Sequence, residues 1–382
     1  MKKLLIATAV SAAFATPGIA FAQAKPPAAP TLDKVLEASG ITTSGYIDAG
    51  YTYSRNQAGF SDRVFDAQQN SFGLNQFGLQ VAKQPKEGFG GLVNLTVGKD
   101  AQFIHSFPEA AVAGSSMFDV TQAFLQYAGG PLTVIAGKFV TLQGTEVIWS
   151  PTNPNFSHSI LFGAIPFTHT GVRAAWALSD TVNLIAGVNN GWDQLTDANK
   201  GKTAEIGATL NPIKPLNIAL SAYSGKESAA PSGAALAGPD GTRTSVNAVV
   251  SYAIIDPLSV SVELLNVSQD KFVSLVNGST IKAKYIGVAG YVNYMFAPKL
   301  RGVLRVESFD DKDGMRFGFP AATTTSTKYK EVTATGSYLA NDSFEARVEV
   351  RRDQGDHAVF TTSTGTTSKS MMSAALQGIY KF

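Results

Sequence analysis

Hydrophobic and polar residues alternate with a period of two in many short segments between Ile41 and the C-terminus. In the segment 343–353, apolar side chains at positions 344, 346, 348 and 350 alternate with glutamates and arginines at positions 345, 347, 349 and 351. Segments 257–268 and 202–211 show the same alternation. A period of two places the two sets on opposite faces of an extended chain. The pattern therefore predicts β-strands with one apolar and one polar face.

Segments of this kind follow one another along the chain, and the connections between them are alternately short and long. The short connections contain Pro, Gly, Asn or Asp, which form turns, and the long ones are polar or rich in Gly, Ser and Thr. This arrangement is typical of a bacterial outer-membrane barrel. We therefore predict an all-β fold, a transmembrane antiparallel β-barrel of about 16 strands with short periplasmic turns and long extracellular loops. The predicted strands are 43–54, 70–82, 88–99, 118–128, 131–141, 169–178, 181–190, 202–211, 215–224, 243–255, 257–268, 282–296, 299–309, 328–340, 343–353 and 370–382.

The last predicted strand ends in two aromatic residues on its apolar face, Tyr380 and Phe382. A membrane-spanning strand places aromatic residues at this level, in the interfacial girdle. The alternative from this strand alone is an ordinary sheet edge that is covered by a helix. A terminal Phe after alternating apolar residues also resembles the assembly signal of outer-membrane barrels, which implies recognition by the barrel assembly machinery.

The first residues predict export. Lys2 and Lys3 precede a short apolar run, and an A-x-A site ends at Ala22, so we expect 1–22 to be a signal peptide. Residues 23–40 read as a periplasmic linker with a short helix, and 41–382 as the outer-membrane barrel. No later run reaches the roughly 18 to 20 apolar residues of a spanning helix.

Charge and composition exclude several classes of function. Removing Lys2 and Lys3 lowers Lys+Arg from 31 to 29, which equals the 29 Asp+Glu, so the exported chain is formally neutral. A nucleic-acid partner would require a concentrated basic surface. The chain has no cysteine, and its 4 histidines show no metal-ligand spacing. We therefore expect no nucleic acid, no metal and no cofactor.

A set of motifs lies mainly in the first half of the chain: the segments 44–53, Arg63-Val-Phe-Asp66, 70–76, 137–141, Glu146-Val-Ile-Trp-Ser-Pro151, 165–171 and 187–192. These motifs resemble a family of outer-membrane porins, the putative beta-barrel porin-2 (OmpL-like) family. The resemblance is dense in the first half and rests mainly on strand rhythm in the second. It implies a barrel that forms a pore, without a residue-level mechanism.

Together, these features predict a passive diffusion channel for small hydrophilic solutes or ions in the bacterial outer membrane. The alternative is a barrel that serves as a scaffold for surface adhesion or ligand binding without transport. An enzyme is not expected, because Ser157, His158 and Ser159 are adjacent and adjacent side chains on an extended segment point apart. The expected partners are outer-membrane lipid, the assembly machinery and the solutes, and both a monomer and a homotrimer stay open.

The longest connection, 142–168, is unusually apolar for a surface loop. It either forms a lid over the barrel mouth or folds into the lumen and narrows the pore, and we favour the second arrangement. Its titratable residues are Glu146 and His158.

The alternation also predicts which charged residues point inward. The predicted inward basic residues are Lys138, Arg173, Arg243, Arg301, Arg305, Arg347 and Arg351, and the predicted inward acidic residues are Asp48, Glu205, Glu263, Glu307, Glu345 and Glu349. The last four of these basic residues lie on the thirteenth and fifteenth strands, and we expect them to face Glu146 across the lumen and to give a weak preference for anions. The predicted constriction and lining residues are Lys138, Glu146, His158, Arg173, Arg301, Arg305, Arg347 and Arg351.

Overall fold

A computed structural model describes residues 31–55, 62–66, 69–108, 116–227, 240–274, 277–318 and 326–382. The predicted signal peptide lies outside these residues. The described residues form a closed antiparallel barrel of sixteen strands. The barrel strands are β1 (Thr42–Tyr53), β2 (Ser71–Lys83), β3 (Gly88–Val97), β4 (Phe118–Gly129), β5 (Leu132–Val140), β6 (Thr168–Ser179), β7 (Val182–Asn189), β8 (Thr203–Ile213), β9 (Leu216–Glu227), β10 (Gly241–Ile255), β11 (Leu258–Val273), β12 (Thr280–Ala297), β13 (Leu300–Asp311), β14 (Thr327–Leu339), β15 (Phe344–Gly355) and β18 (Ser370–Lys381).

The remaining elements are short. They are the helices α1 (Leu32–Ser39) and α2 (Ala101–Ile104), two 3-10 turns (Ser150–Thr152 and Phe162–Ala164), and a two-stranded hairpin of β16 (Phe360–Thr361) and β17 (Thr367–Ser368). Helix α1 is followed by Gly40 at φ +68°, a conformation that glycine adopts without strain and that commonly ends a helix. Among the residues that the structure describes, no helix is long and apolar enough to cross a membrane.

The barrel closes where the first strand pairs with the last. Tyr46 lies opposite Lys381, and Ala49 lies opposite Gly378. The backbone of Phe382 continues this ladder, because its N–H donates to the Gly45 carbonyl and its own carbonyl accepts from the Gly45 N–H, both at 2.9 Å. A closed sheet satisfies the backbone of every strand from its neighbours, which a bilayer requires because the hydrocarbon offers no hydrogen-bond partners.

Each strand separates an outer apolar face from an inner, mostly polar one. On β18, Met372, Leu376 and Tyr380 are exposed on the outside, while Ser373 and Gln377 are buried on the inside. This confirms the predicted two-residue alternation. Every predicted strand is present, and the main difference is that β11 and β12 extend beyond the prediction, so that the connection between them shortens to 274–279.

Candidate pore constriction

The long connection between β5 and β6, residues 141–167, folds into the barrel. We call it the infolded segment. Its first part runs along the inner wall of β9 to β11, whose side chains accept hydrogen bonds from its backbone N–H groups. Tyr223 accepts from Leu142 (2.7 Å), and Glu263 accepts from Thr145 (2.8 Å). Irregular backbone at membrane depth requires such protein partners, because no lipid group could replace them.

Arginines of β13 and β15 bind the carbonyl groups of the second part of the infolded segment. Nη1 of Arg305 donates to the carbonyl of Ser157 (2.6 Å), and the Arg305 Nη2 donates to the Ser157 hydroxyl (3.0 Å). Arg347 donates to the carbonyl of Asn155 (3.0 Å), and Arg351 to that of His158 (2.5 Å). Three arginines from one wall therefore hold a short stretch of the infolded segment in one position.

Glutamates of the same two strands bind the neighbouring N–H groups. Glu349 accepts hydrogen bonds from Phe156 (2.8 Å) and Ser157 (3.0 Å). Glu307 accepts from Ile160 (3.0 Å) and Leu161 (3.2 Å). The inner face of β13 and β15 thus alternates donors and acceptors that match the alternating carbonyl and N–H groups of the infolded segment.

Glu146 connects the two parts of the infolded segment. One of its carboxylate oxygens forms an ion pair with Arg305 (2.7 Å), and the other accepts from the N–H of Ser159 (2.6 Å). The side chains of Arg305 and Glu146 are 0% and 1% exposed. Removing one member of a fully buried ion pair leaves an uncompensated charge, which costs about 3–5 kcal/mol.

The turn of the infolded segment reaches the strands that close the barrel. The ring of Trp149 packs edge-on against Tyr46 of β1 with centroids 4.5 Å apart. The hydroxyl of Ser150 donates to Asp48, and Gln377 of β18 donates to the same carboxylate (2.7 Å). The infolded segment therefore crosses the lumen from β5 to the far wall before it returns to β6.

Residues 62–66, between β1 and β2, and helix α2, after β3, cover the infolded segment. Arg63 forms ion pairs with Asp66 (2.8 Å) and with Asp353 of β15 (2.6 Å). Phe65, which lies between Arg63 and Asp66 in the sequence, is edge-on to the ring of His158 with centroids 4.7 Å apart. The Arg63-Val-Phe-Asp66 motif of the sequence thus caps the infolded segment. The shared apolar cluster contains Val64, Phe65, Ile104, Ile148, Phe162 and Phe167.

A second apolar cluster lies against the wall of β11 to β13. Ile160 and Leu161 are fully buried in it, together with Leu265 and Phe309. Gly287 of β12 makes the approach of Leu161 possible, because an added Cβ would lie 2.7 Å from Leu161 Cδ1. The apolar residues that are unusual for a surface loop are therefore buried by packing inside the barrel.

The structure also places the other predicted lining residues on the inside. Lys138 pairs with Asp119 (3.3 Å), and Arg173 pairs with Glu205 (2.6 Å). Arg301 pairs with Glu345 and keeps a side chain that is 21% exposed. Tyr380 and Phe382 are exposed on the outer face of the last strand. These positions are facts of the fold, whereas the roles in permeation and assembly stay predictions.

The expectation of an exposed arginine lining requires a correction. Arg305, Arg347 and Arg351 are 0%, 2% and 1% exposed, because the infolded segment lies directly on them. Arg305 does not face Glu146 across open lumen but pairs with it. A charge that is neutralised in a buried pair contributes little field to a passing ion, so we no longer expect these three arginines to set an ion preference, which stays a prediction for measurement.

The serine–histidine triplet does not form a hydrolytic arrangement in this conformation. The Ser157 hydroxyl accepts from Arg305 (3.0 Å), and the His158 Nε2 lies 3.1 Å from the carbonyl oxygen of Val147. Burial lowers the pKa of His158, and the carboxylate of Glu146 acts in the opposite direction. Within the described ranges, no group of three or more His, Asp or Glu residues is placed to hold a metal ion.

Sequence reasoning identified the inward charges but not the partners that position the infolded segment. Like Tyr223, Asn247 accepts from the infolded segment, at the N–H of Gly144 (3.2 Å), and Tyr285 donates to the carbonyl of Ala164 (2.6 Å). These three residues had no distinguishing pattern, since an inward Tyr or Asn is ordinary in a barrel. The alternating Arg and Glu residues on β13 and β15 were visible, but their match to the backbone of the infolded segment depends on contacts between residues more than 140 positions apart.

Comparisons with known proteins agree with this architecture. The sequence model of the family described as "Putative beta-barrel porin-2, OmpL-like" matches residues 40–382. A search of curated sequences finds no match. The fold is similar to the outer membrane channel DcaP of Acinetobacter baumannii (TM-score 0.61, 16% identity, covering 90% of this chain and 97% of that one). It is also similar to an anion-selective porin from Comamonas acidovorans (0.59, 10%, 90% and 99%) and to the trimer form of OmpT of Vibrio cholerae (0.59, 13%, 90% and 99%).

Proposed function

We propose that this chain is a passive diffusion channel whose lumen is narrowed by the infolded segment. The chain belongs to the putative beta-barrel porin-2 (OmpL-like) family and is an outer-membrane porin. The proposed solutes are small and hydrophilic. The observation that carries the proposal is the set of hydrogen bonds between the backbone at 155–161 and the inner face of β13 and β15. Because the wall binds both the carbonyl and the N–H groups of these residues, the infolded segment reduces the open cross-section of the lumen at a fixed place.

The surface that the infolded segment leaves free is largely uncharged. Val147 is 42% exposed, and Trp149, Pro151 and Pro154 are half-buried. The two residues of the infolded segment with ionisable side chains, Glu146 and His158, are buried. We therefore propose that the constriction selects mainly by size, and that charge contributes weakly.

Deletion of 149–161 tests this proposal. Removing these residues should raise the single-channel conductance several-fold and admit larger sugars in liposome swelling. The matched control is deletion of 362–366, the tip of the β16–β17 hairpin, which should leave both unchanged. Unchanged conductance in the 149–161 deletion with an intact barrel would show that the narrowest section lies elsewhere. A wild-type protein that is silent in a bilayer would favour the scaffold function instead.

Two further proposals concern assembly. We propose a homotrimer, supported by the trimer form of a structural relative. We also propose that the terminal Phe382 serves insertion of the barrel, supported by its place in the closing ladder and by its ring, which stacks against Phe77 with centroids 6.3 Å apart.

A further inference from the structure

A small cavity of about 70 Å³ lies inside the barrel at the extracellular ends of β1 and β2. Strand β1 contributes Gly50 and Thr52 to its lining, and β2 contributes Ser71 and Asn75. The segment 62–66 and the start of helix α2 form the remaining sides. A space of this size holds a few water molecules or one small polar group.

Two buried carboxylates line this cavity. Asp66 is 9% exposed, and its Oδ2 pairs with Arg63 (2.8 Å), while its Oδ1 is buried and has no hydrogen-bond partner among the described residues. Asp100 is 5% exposed, and its Oδ2 accepts from Gln76 (2.9 Å). A buried carboxylate oxygen without a donor costs free energy, so this position favours a ligand that carries one.

Negative charge is concentrated around Asp100, which lies in the connection between β3 and β4. Burial is the main cause that raises the pKa of Asp100 well above its usual range, and the carboxylates of Asp48 and Asp66 act in the same direction. The hydrogen bond from Gln76 and the charge of Lys99 oppose them. A cation bound in the cavity would favour the ionised form of Asp100 and offset the repulsion between these carboxylates.

Two basic residues lie near the cavity, and both have other partners. Arg63 divides its charge between Asp66 (2.8 Å) and Asp353 of β15 (2.6 Å). Lys99 lines the cavity, and its Nζ donates to the carbonyl of Phe72 (3.3 Å). The carboxylates around the cavity therefore outnumber the basic side chains that they share, which favours a positively charged ligand.

Two phenylalanine rings form the apolar part of the lining. The rings of Phe65 and Phe103 lie at 68° to each other with centroids 6.3 Å apart. Aromatic faces attract organic cations, whereas Ca²⁺ and Mg²⁺ prefer a shell of oxygen ligands. Gln102 and Phe103 are exposed, so the cavity borders the extracellular solvent on this side. The mixed lining thus favours an organic cation over a metal ion.

We propose that this cavity binds the primary ammonium group of a small organic amine. The three N–H donors of the ammonium are directed at the carboxylates of Asp66 and Asp100 and at the hydroxyl of Thr52. The carbon next to the nitrogen packs against Phe65 and Phe103. The cavity is separate from the contacts that hold the infolded segment on β13 and β15, so binding does not require that the channel conducts.

Saturation-transfer difference NMR of the purified full-length protein in neutral detergent tests this proposal. The probes are ethylammonium and ethanol, which has a similar size but no charge. Wild-type protein should bind ethylammonium and not ethanol at the same concentration. The double variant Asp66→Asn with Asp100→Asn should bind ethylammonium at least about tenfold more weakly, because it loses two charge-assisted hydrogen bonds.

The matched control is Asp270→Asn with Asp356→Asn, which removes the same charge at two exposed extracellular positions. This control should bind ethylammonium like wild type. Heat-modifiable migration of each variant verifies that the barrel is intact. A further variant, Phe103→Leu, keeps an exposed apolar side chain but removes one aromatic face, and it should weaken binding several-fold.

Four outcomes decide the proposal. Equal affinity of wild type and the Asp66→Asn, Asp100→Asn variant would overturn it, and so would equal binding of ethanol. Displacement of ethylammonium by millimolar CaCl₂, together with an unchanged affinity in Phe103→Leu, would assign the cavity to a metal ion instead. Specific ethylammonium binding by a wild-type protein that is silent in a bilayer would support this inference and overturn the proposed diffusion channel.

Discussion

Two regions of the inner wall carry very different side chains and differ in how far the infolded segment buries them. The wall of β13 to β15 carries a dense set of charges, and the infolded segment buries them: Arg305, Glu307, Glu331, Arg347, Glu349 and Arg351 are each at most 6% exposed. The periplasmic half of the wall of β7 to β9 presents uncharged residues to the lumen, and these stay partly accessible: Asn183, Ile185, Gly207, Thr209 and Ala219. The carboxylates of this wall, Glu205 and Glu227, lie in its other half and are buried.

The contrast indicates that the charges on β13 to β15 hold the infolded segment in place, and we propose that they contribute little to attracting ions. The chain of ion pairs from Arg63 through Asp353, Arg351, Glu331 and Arg305 to Glu146 links a surface loop, the wall and the infolded segment. Solutes that pass the constriction then meet a wall on which charge is scarce. Variants of single residues can test whether the charged wall has this holding role.

Replacement of Arg305 should release the infolded segment more than any other single change on this wall. In Arg305→Ala, the carboxylates of Glu146 and Glu331 lose a fully buried partner. The expected cost is about 3–5 kcal/mol of the free energy that holds the infolded segment. Hydrogen exchange of the amides at Ser157 and Ser159 measures this release, and protection should fall by at least a hundredfold.

Arg301→Ala is the matched control for that measurement. Arg301 lies on the same strand and the same inner face, but its side chain is 21% exposed and pairs with Glu345 of β15 rather than with the infolded segment. Loss of a partly solvated pair costs at most about 1 kcal/mol. Equal loss of protection in the two variants would mean that burial, and not the ion pair with Glu146, holds the infolded segment.

The sixteen strands could be predicted because the information is local. Alternation at successive residues gives each strand, and Pro, Asn and Asp in the short connections give each turn, as at Asp256-Pro257. The apolar residues of the infolded segment favour a place inside the lumen, but they do not specify the wall against which it lies. Whether Glu146 faces Arg305 across water or pairs with it depends on how several loops pack together, which no local pattern encodes.

A smaller effect is expected on ion selectivity, and it distinguishes the exposed from the buried arginines of the wall of β13 to β15. The partly exposed Arg301 should influence ions more than the buried arginines of the same wall. Each unit charge at ~10 Å contributes about 0.4 kcal/mol in water, so the two-unit change in Arg301→Glu should alter each local ion concentration about fourfold. The reversal potential under a tenfold KCl gradient should therefore shift toward cations at ~0.1 M salt and return toward wild type near 1 M, where screening acts within about 3 Å.

The outward residue Lys284 gives the control for this experiment, since Lys284→Glu makes the same change in charge on the lipid-facing side of β12. Its reversal potential should match wild type. An equal shift in both variants would show that net charge, rather than a position inside the lumen, sets the potential.

The smallest predicted effect is a dependence of the constriction on pH through His158. Its ring lies between Phe65 and Phe162, with centroids 4.7 and 4.3 Å away, and burial lowers its pKa below the ordinary value. Between the lowered pKa and about 6.5, the released segment binds more protons than the held one. The stabilising contribution of the neutral ring is therefore complete above pH 6.5 and declines as the pH falls below it.

Asp193 opposes this trend, because it accepts hydrogen bonds from Phe167 and Thr168 while burial raises its pKa to about 6. The stabilisation that Asp193 contributes to the held segment therefore declines as the pH rises from about 4 to 6. The two groups partly cancel in wild type, so the decisive comparison is with His158→Gln, which keeps a side-chain N–H donor for Val147 but does not titrate. Conductance fluctuations that increase from pH 7 to pH 5 in wild type should increase less in this variant. Identical pH profiles would assign the remaining dependence to Asp193 and other carboxylates, and the neutral histidine would then be only a packing residue of the constriction.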